Sequence, residues 1–331
     1  MKKLSIIIPM YNVAQYLEKC IGSVYDQQIQ EDDFELILID DESPDNSLEI
    51  AKELTLNKNN VKIISQQNKG LGGARNTGIL NATGLYLLFL DSDDWYISNK
   101  LHLLLEEINC SDLDVLEFGA KQINNDGVVT AQIHSNECNS VISGSEYISK
   151  YDISNTACNK LYNRALLLKN DIFFIENVYV EDAPFNVEVF CKARKVKALK
   201  EFMVCFYQNP NSITRASRNS EKLDKFIHDS KIVTGRINSF TDYTFISLKA
   251  RSIILRKVAF FTSGLILMII KSNKSYAKKK NDIHELRVSG LYPIKSKTEV
   301  LVRDLFIAVI NKEPILSLIF RISSKKIKDE K

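Results

Sequence analysis

Metal-ligand spacing is missing from this sequence. Its six cysteines (Cys20, Cys110, Cys138, Cys158, Cys191, Cys205) and four histidines are dispersed. That argues against a structural zinc site and against a disulfide framework, and reads as reduced thiols in a cytosolic compartment. A leader is missing too: a strand pattern begins within the first four residues, so no signal peptide is expected. Internal repeats are absent, and so is any recognisable nucleic-acid-binding motif, which sets nucleic acid aside as a partner. A run that spans a bilayer is absent by length. The tail's apolar stretch Val258–Ile270 has thirteen residues, short of the ~20 a transmembrane helix needs.

The chain does have length and uneven charge. Its 331 residues, 45% of them apolar, suffice for one catalytic domain and an extension. We expect a catalytic domain over 1–218, with a donor half to about residue 95 and an acceptor half from about 96, then a basic helical region over 219–331. Residues 250–331 carry 18 Lys and Arg against 7 Asp and Glu, a balance of +11; the whole chain is +3, so the remainder is −8. Such asymmetry points to an acidic partner for the tail.

Strand and helix patterns alternate through the first ninety-odd residues. Leu4–Ile8 is a β-branched run stopped by Pro9, residues 14–25 place Leu17, Ile21, Val24 and Tyr25 at helical spacing, and Phe34–Ile39 is a second strand. An acidic turn, Asp40 to Ser47, follows, in which Ser43 or Asp45 suits the cap of the next helix. Val61–Ile64 is a third strand, Gly70–Gly78 opens a third helix and Tyr86–Leu90 is a fourth strand ending in Asp91-Ser92-Asp93-Asp94. This alternation implies a parallel sheet with right-handed crossovers, an α/β fold that binds ligands at the carboxyl edge of its strands. Carboxylates one residue apart suit a hard divalent cation, Mn²⁺ or Mg²⁺, completed by substrate phosphates. A solvated Asp-rich turn is the competing reading of that tetrapeptide, and helix capping that of Asp40 and Asp41.

Taken together, Ser5–Pro9 with Tyr11-Asn12, Ile39–Ser43 with Asp45–Ser47, Asn68–Gly70, Ala74–Gly78 and Gly84-x-Tyr86-x-x-Phe89-Leu90-Asp91-Ser92-Asp93-Asp94 resemble the nucleotide-sugar glycosyltransferases of family 2. The resemblance implies the GT-A fold, Rossmann-like with a mostly parallel central sheet. It departs at Glu42, where the family usually has Gly, and at Cys158, where Trp is common. It implies a donor site for a UDP-sugar formed by Pro9, Tyr11, Asp40, Asp41, Lys69, Arg75, Asp91, Ser92 and Lys160. Tyr11 stacks on the base in this reading, Asp41 accepts from uracil, and Asp91 lies near the ribose. Asp93 holds the cation, with Asp91 and Asp94 beside it. Asn76 and Trp95 read as structural.

The second half offers Glu181-Asp182 at a helix start. By resemblance Asp182 is the catalytic base and Glu181 its neighbour, a carboxylate suited to taking the acceptor's hydroxyl proton; a helix-dipole pair is the plainer alternative. Phe206–Thr214 resembles a loop that closes on the diphosphate, with Arg215 reaching phosphate; an ordinary Asn-Pro turn reads equally well. In the tail, Val258–Ile270 and the patterned stretch Val300–Ile322 lie between basic flanks that include Lys278-Lys279-Lys280 and Lys325, Lys326 and Lys328. Interfacial helices on an anionic membrane look like this, and so does a small helical domain with a solvated lysine face. The expectation is an inverting hexosyltransferase that uses a UDP-sugar and a saccharide acceptor, lipid-linked, in bacterial surface-polysaccharide assembly. It would sit peripherally on the cytoplasmic face of the plasma membrane. A nucleotidyltransferase is the rival enzyme, disfavoured because Pro9-Met10-Tyr11-Asn12 stands where its Gly-rich phosphate loop belongs. A membrane-bound scaffold without activity is the non-enzymatic rival.

Overall fold

The computed structural model describes residues 2–136, 138–209 and 220–329. The chain divides into two compact units, Met1–Asn177 with Glu188–Ala216, and Val178–Val187 with Ser217–Lys331.

The first unit opens with the expected alternation: β1 (Leu4–Met10), α1 (Leu17–Tyr25), β2 (Phe34–Asp40), α2 (Ser47–Leu54), β3 (Val61–Ser65), α3 (Gly70–Asn81) and β4 (Tyr86–Phe89). β1 pairs in parallel with both β2 and β4, and β2 with β3. Every residue of β1 is buried, and in β2 all but Glu35 are, as in strands covered on both faces. Glu35 joins three segments: its Oε1 accepts from Ser5 Oγ at 2.6 Å, Thr83 N–H at 2.6 Å and Gly84 N–H at 3.2 Å.

The chain continues through β5 (Trp95–Tyr96), α4 (Leu101–Cys110), β6 (Val115–Ile123), β7 (Val129–Ile133), α5 (Gly144–Lys150), β8 (Lys160–Asn163), α6 (Arg164–Lys169), α7 (Asp182–Lys192) and β9 (Val196–Tyr207). β8 runs antiparallel to β4 and β6, while β6 and β9 are parallel. The result is one mixed sheet of nine strands among the described residues, in the order β3-β2-β1-β4-β8-β6-β9-β5 with β7 on β6.

Two local details differ from the sequence expectation. α1 begins at Leu17 because the N–H groups of Val13 and Ala14 are held by Ser47 Oγ and Asp45 Oδ2, both at 3.0 Å. Neither Ser43 nor Asp45 stands at the N-cap of α2; Asn46 does, without a side-chain bond. The glycines of α3 serve close packing. A Cβ on Gly78 would lie 2.3 Å from Ile7 Cγ2, and one on Gly72 2.5 Å from the Ile175 carbonyl oxygen.

The second unit contains α8 (Ser220–Ser239), a 3₁₀ turn at Phe240–Asp242, α9 (Leu248–Lys271), α10 (Tyr276–Val288), α11 (Leu301–Ile310) and α12 (Glu313–Asp329). α9 corrects the thirteen-residue estimate of span length. The helix propagates through Arg251, Arg256 and Lys257 to 24 residues, with a mean hydropathy of 2.1 in its most apolar window. By length and composition it is able to cross a membrane. In this unit it is the central helix instead: 44% of that window is buried, and α8, α10, α11 and α12 all pack on it. The lysines are not all solvated. Lys279 is fully buried and donates to the Ile270 carbonyl and to Ser323 Oγ, each at 2.9 Å; burial lowers its pKa. Lys231 pairs with Asp282 and Glu285 at 2.6 Å.

Candidate active site

The carboxyl ends of β1, β2, β3 and β4 lie side by side, so the loops leaving them share one edge. Backbone bonds fix that edge. Asp41 N–H donates to the Met10 carbonyl at 2.9 Å, Gln66 N–H to that of Asp40 at 2.9 Å and Leu90 N–H to that of Ile7 at 3.0 Å. The Ser92 hydroxyl donates to the Pro9 carbonyl and so ties the acidic loop to the end of β1. Tyr11, next along, is 52% exposed.

Asp40 and Asp41 are both buried but do different things. Asp40 Oδ1 accepts from Ser43 N–H at 3.2 Å, a turn-forming bond. Asp41 Oδ1 accepts from Gln66 Nε2 at 2.7 Å and from Lys69 N–H at 2.9 Å, so it organises the approach to α3. Glu42 follows with φ +64°, the left-handed region where glycine is unstrained. Its carboxylate offsets that strain by accepting from Asn68 N–H at 3.1 Å.

Arg75, on α3, is fully buried and its Nη2 donates to Asp91 Oδ1 at 2.7 Å. The guanidinium also stands 5.2 Å above the Phe174 ring, with Cys158 Sγ 3.9 Å from Nη2. The resemblance puts Arg75 in the donor site; here it is an interior cation that orients Asp91. Asn76 is structural as expected, pairing with both backbone groups of Phe174 at 2.8 and 2.9 Å.

Asp93 and Asp94 lie on the same loop. Asp93 Oδ2 accepts from Asn209 Nδ2 at 3.3 Å, and Asp94 Oδ1 from Tyr207 N–H at 2.8 Å. Burial, then the charges of Asp91 and Asp93, push the Asp94 carboxyl well above the usual range. Negative charge is therefore crowded here, which is the electrostatic condition a cation relieves. Among the described residues no three His, Cys, Asp or Glu side chains close on a common point. Asp91 is turned to Arg75 and Asp94 to Tyr207, so the expected trio does not form a cage. The arrangement suits a cation held by one or two carboxylates and completed by donor phosphates.

Lys160 has other partners than expected. Its buried ammonium donates to the carbonyls of Ser154 and Thr156 at 3.1 and 2.8 Å and to Asn159 Oδ1 at 2.8 Å, and lies 3.6 Å from Glu117. It thereby shapes the segment that carries Cys158. Lys69 is exposed at the start of α3. Glu181 and Asp182 belong to the second unit; Glu181 is buried, and Asp182 is half-buried in the first turn of α7. Val180, just before them, has φ +66°, which a β-branched residue adopts only under constraint. Pro210 to Arg215, the rest of the expected closing loop, lie outside the described residues, as do the side chains of Lys325, Lys326 and Lys328.

Sequence reading missed Gln66; it brought Phe206–Thr214 to the diphosphate by resemblance, but not the bond from Asn209 to Asp93 or the aromatic group beside it. Gln66 follows β3 directly, so the carboxyl-edge rule alone was enough to find it. Tyr207 lies 5.8 Å from Tyr16 and 6.3 Å from Trp95, and Lys19 Nζ is 3.1 Å above the Trp95 ring. No local sequence pattern predicts these ring contacts.

Residues 5–168 match the family model for glycosyl transferase family 2. The uncharacterized glycosyltransferase EpsJ of Bacillus subtilis is 36% identical over 220 residues, 64% of this chain and 62% of EpsJ. The chain spans less than two thirds of the length of the curated relatives it matches. Among solved structures, S. aureus TarS 1–349 in complex with UDP-GlcNAc superposes with a TM-score of 0.60 at 18% identity, covering 99% of this chain and 92% of that one. The mannosyltransferase PcManGT of Pyrobaculum calidifontis, in complex with GDP-Man and Mn²⁺, does so with 0.55 at 12% identity, covering 99% and 88%. Both likenesses concern the fold. With the edge geometry above and the family match over its first half, the chain belongs to glycosyltransferase family 2.

Proposed function

We propose that the chain transfers a hexose from a UDP-sugar to a saccharide hydroxyl with inversion. The observation that carries this is the grouping of Asp41, on the loop leaving β2, with Asp91, Asp93 and Asp94, on the loop leaving β4 across β1, and with Arg75 of α3 paired to Asp91. TarS crystallised with UDP-GlcNAc and with UDP supports a uridine donor. Both bonds on Asp41 use Oδ1, which leaves Oδ2 to accept the uracil imide N–H, with exposed Tyr11 to stack on the base. Arg75 holds Asp91 for the ribose. Asp93, with Asp94 next to it, would hold Mn²⁺ or Mg²⁺, whose chemistry there is Lewis-acid neutralisation of the diphosphate as it leaves.

Asp182 takes the acceptor proton as the hydroxyl attacks, with Glu181 beside it. What supports that role is the order of motifs, the half-buried carboxylate at a helix start and the strained Val180 before it. Strain of this kind clusters at working sites. The acceptor is lipid-linked in this reading, which places the chain peripherally on the cytoplasmic face of the plasma membrane in surface-polysaccharide assembly.

Replacing Asp182 with Asn tests the chemistry. The variant should lose transfer by at least ~10²-fold and still bind UDP. Transfer at the wild-type rate would remove Asp182 from the mechanism.

A further inference from the structure

α11 presents an outer face that is apolar throughout. With about 100° between successive helical residues, Leu301, Val302, Leu305 and Val309 fall on one side, opposite buried Ile307 and Ile310. They are 74, 78, 61 and 43% exposed. α12 follows after two residues, and its outer face adds Leu318 and Ile322 at 56 and 55%. A single exposed leucine needs no explanation, but two consecutive helices that each bare an apolar face do.

The neighbouring surface carries positive charge. Between α10 and α12 lies a groove of 540 Å³ lined by Ile283, Leu316 and Phe320, with Glu313 on the α12 side pairing Arg287 at 3.2 Å and with Lys280, His284 and Arg287 along the α10 side. Those three recur at helical spacing on α10 and are all exposed. Arg321, on the other side, lies between the groove and the bare face of α12; its guanidinium and the Lys280 ammonium stand 5.5 and 5.8 Å from the Tyr276 ring. Apolar side chains beside exposed cations are what the acyl and headgroup layers of an anionic bilayer complement. A second copy of this chain would meet the same positive charge.

We propose that the outer faces of α11 and α12 insert into an anionic bilayer, with Lys280 and Arg321 taking lipid phosphates at the groove. The proposal rests on the peripheral-membrane part of the reading above and gives it a surface. It is tested on the full chain by co-sedimentation with phosphatidylcholine vesicles, with and without phosphatidylglycerol. The wild type should bind the anionic vesicles roughly tenfold or more tighter, with the preference falling as salt rises. Leu305→Asp/Val309→Asp should lower binding by ~tenfold or more, and Lys280→Glu/Arg321→Glu should abolish the preference for anionic lipid. UDP binding by calorimetry should be unchanged in both variants, so that loss of vesicle binding and loss of the donor site are read separately. Equal vesicle binding by wild type and variants overturns the proposal. So does a dimer that Leu305→Asp/Val309→Asp dissolves in a chain that binds no vesicles, because the occupant is then a second copy.

Discussion

Arg75 is the side chain on which the acidic edge depends most. It is buried, its partner Asp91 is partly exposed, and they meet at 2.7 Å. Removing one member of a buried pair leaves the other uncompensated. Solvent reaches Asp91, so the cost is smaller than for a fully buried pair. Arg75→Met should lower stability by about 2 kcal/mol in urea unfolding and weaken UDP binding, since Asp91 loses its orientation. Glu35 gives a pH signature. Burial raises its carboxyl, but hydrogen bonds from Ser5, Thr83 and Gly84 outweigh this and leave the pKa below the usual glutamate range. A depressed carboxyl stabilises the fold above its unfolded value and loses that contribution as pH falls through the folded one. The melting temperature of the wild type should therefore exceed that of Glu35→Gln at neutral pH, and the gap should close below about pH 4. A gap that persists unchanged well below that pH would mean that the bonds do not depend on charge.

Elements were legible where their pattern was local. β1 to β4 and the helices between them follow from β-branched runs and helical spacing, and the acids at the ends of β2 and β4 follow from the edge rule. What was not legible depended on partners far along the chain. The interior position of Arg75 requires Phe174 and Cys158, and the bonds that pin Asp93 and Asp94 require Asn209 and Tyr207. Lys160 reads as a ligand-binding cation until Glu117 and the carbonyls of Ser154 and Thr156 surround it. Gly70–Gly78 reads as a helix start, but that its glycines serve close packing depends on Ile7 standing against Gly78. Gly78→Ala should push α3 off β1 and cost roughly 1–3 kcal/mol in denaturant unfolding. Ile7→Ala in the same chain should recover part of that loss, because the atom in the way is an Ile7 methyl carbon. Strictly additive losses would show that the contact is not what α3 packing depends on.

Over the whole molecule, charge and chemistry are divided between two sequence regions. Residues 1–249 are net −8 and residues 250–331 net +11. The acidic region holds every residue assigned to donor, cation and proton transfer, while the basic region supplies the helical faces assigned to the bilayer. α9 shows how composition misleads at this scale: it is long and apolar enough for a membrane, yet much of it forms the centre of its own unit. The central claim concerns the acidic edge, where crowded carboxylates are proposed to hold a cation beside the donor nucleotide. It is tested most directly by calorimetry of UDP with the full chain, with and without Mn²⁺, for the wild type and Asp93→Ala. The account predicts UDP binding that Mn²⁺ strengthens by ~tenfold or more and that Asp93→Ala makes indifferent to the metal. Absence of UDP binding in both conditions, or an equal Mn²⁺ effect in Asp93→Ala, would contradict it.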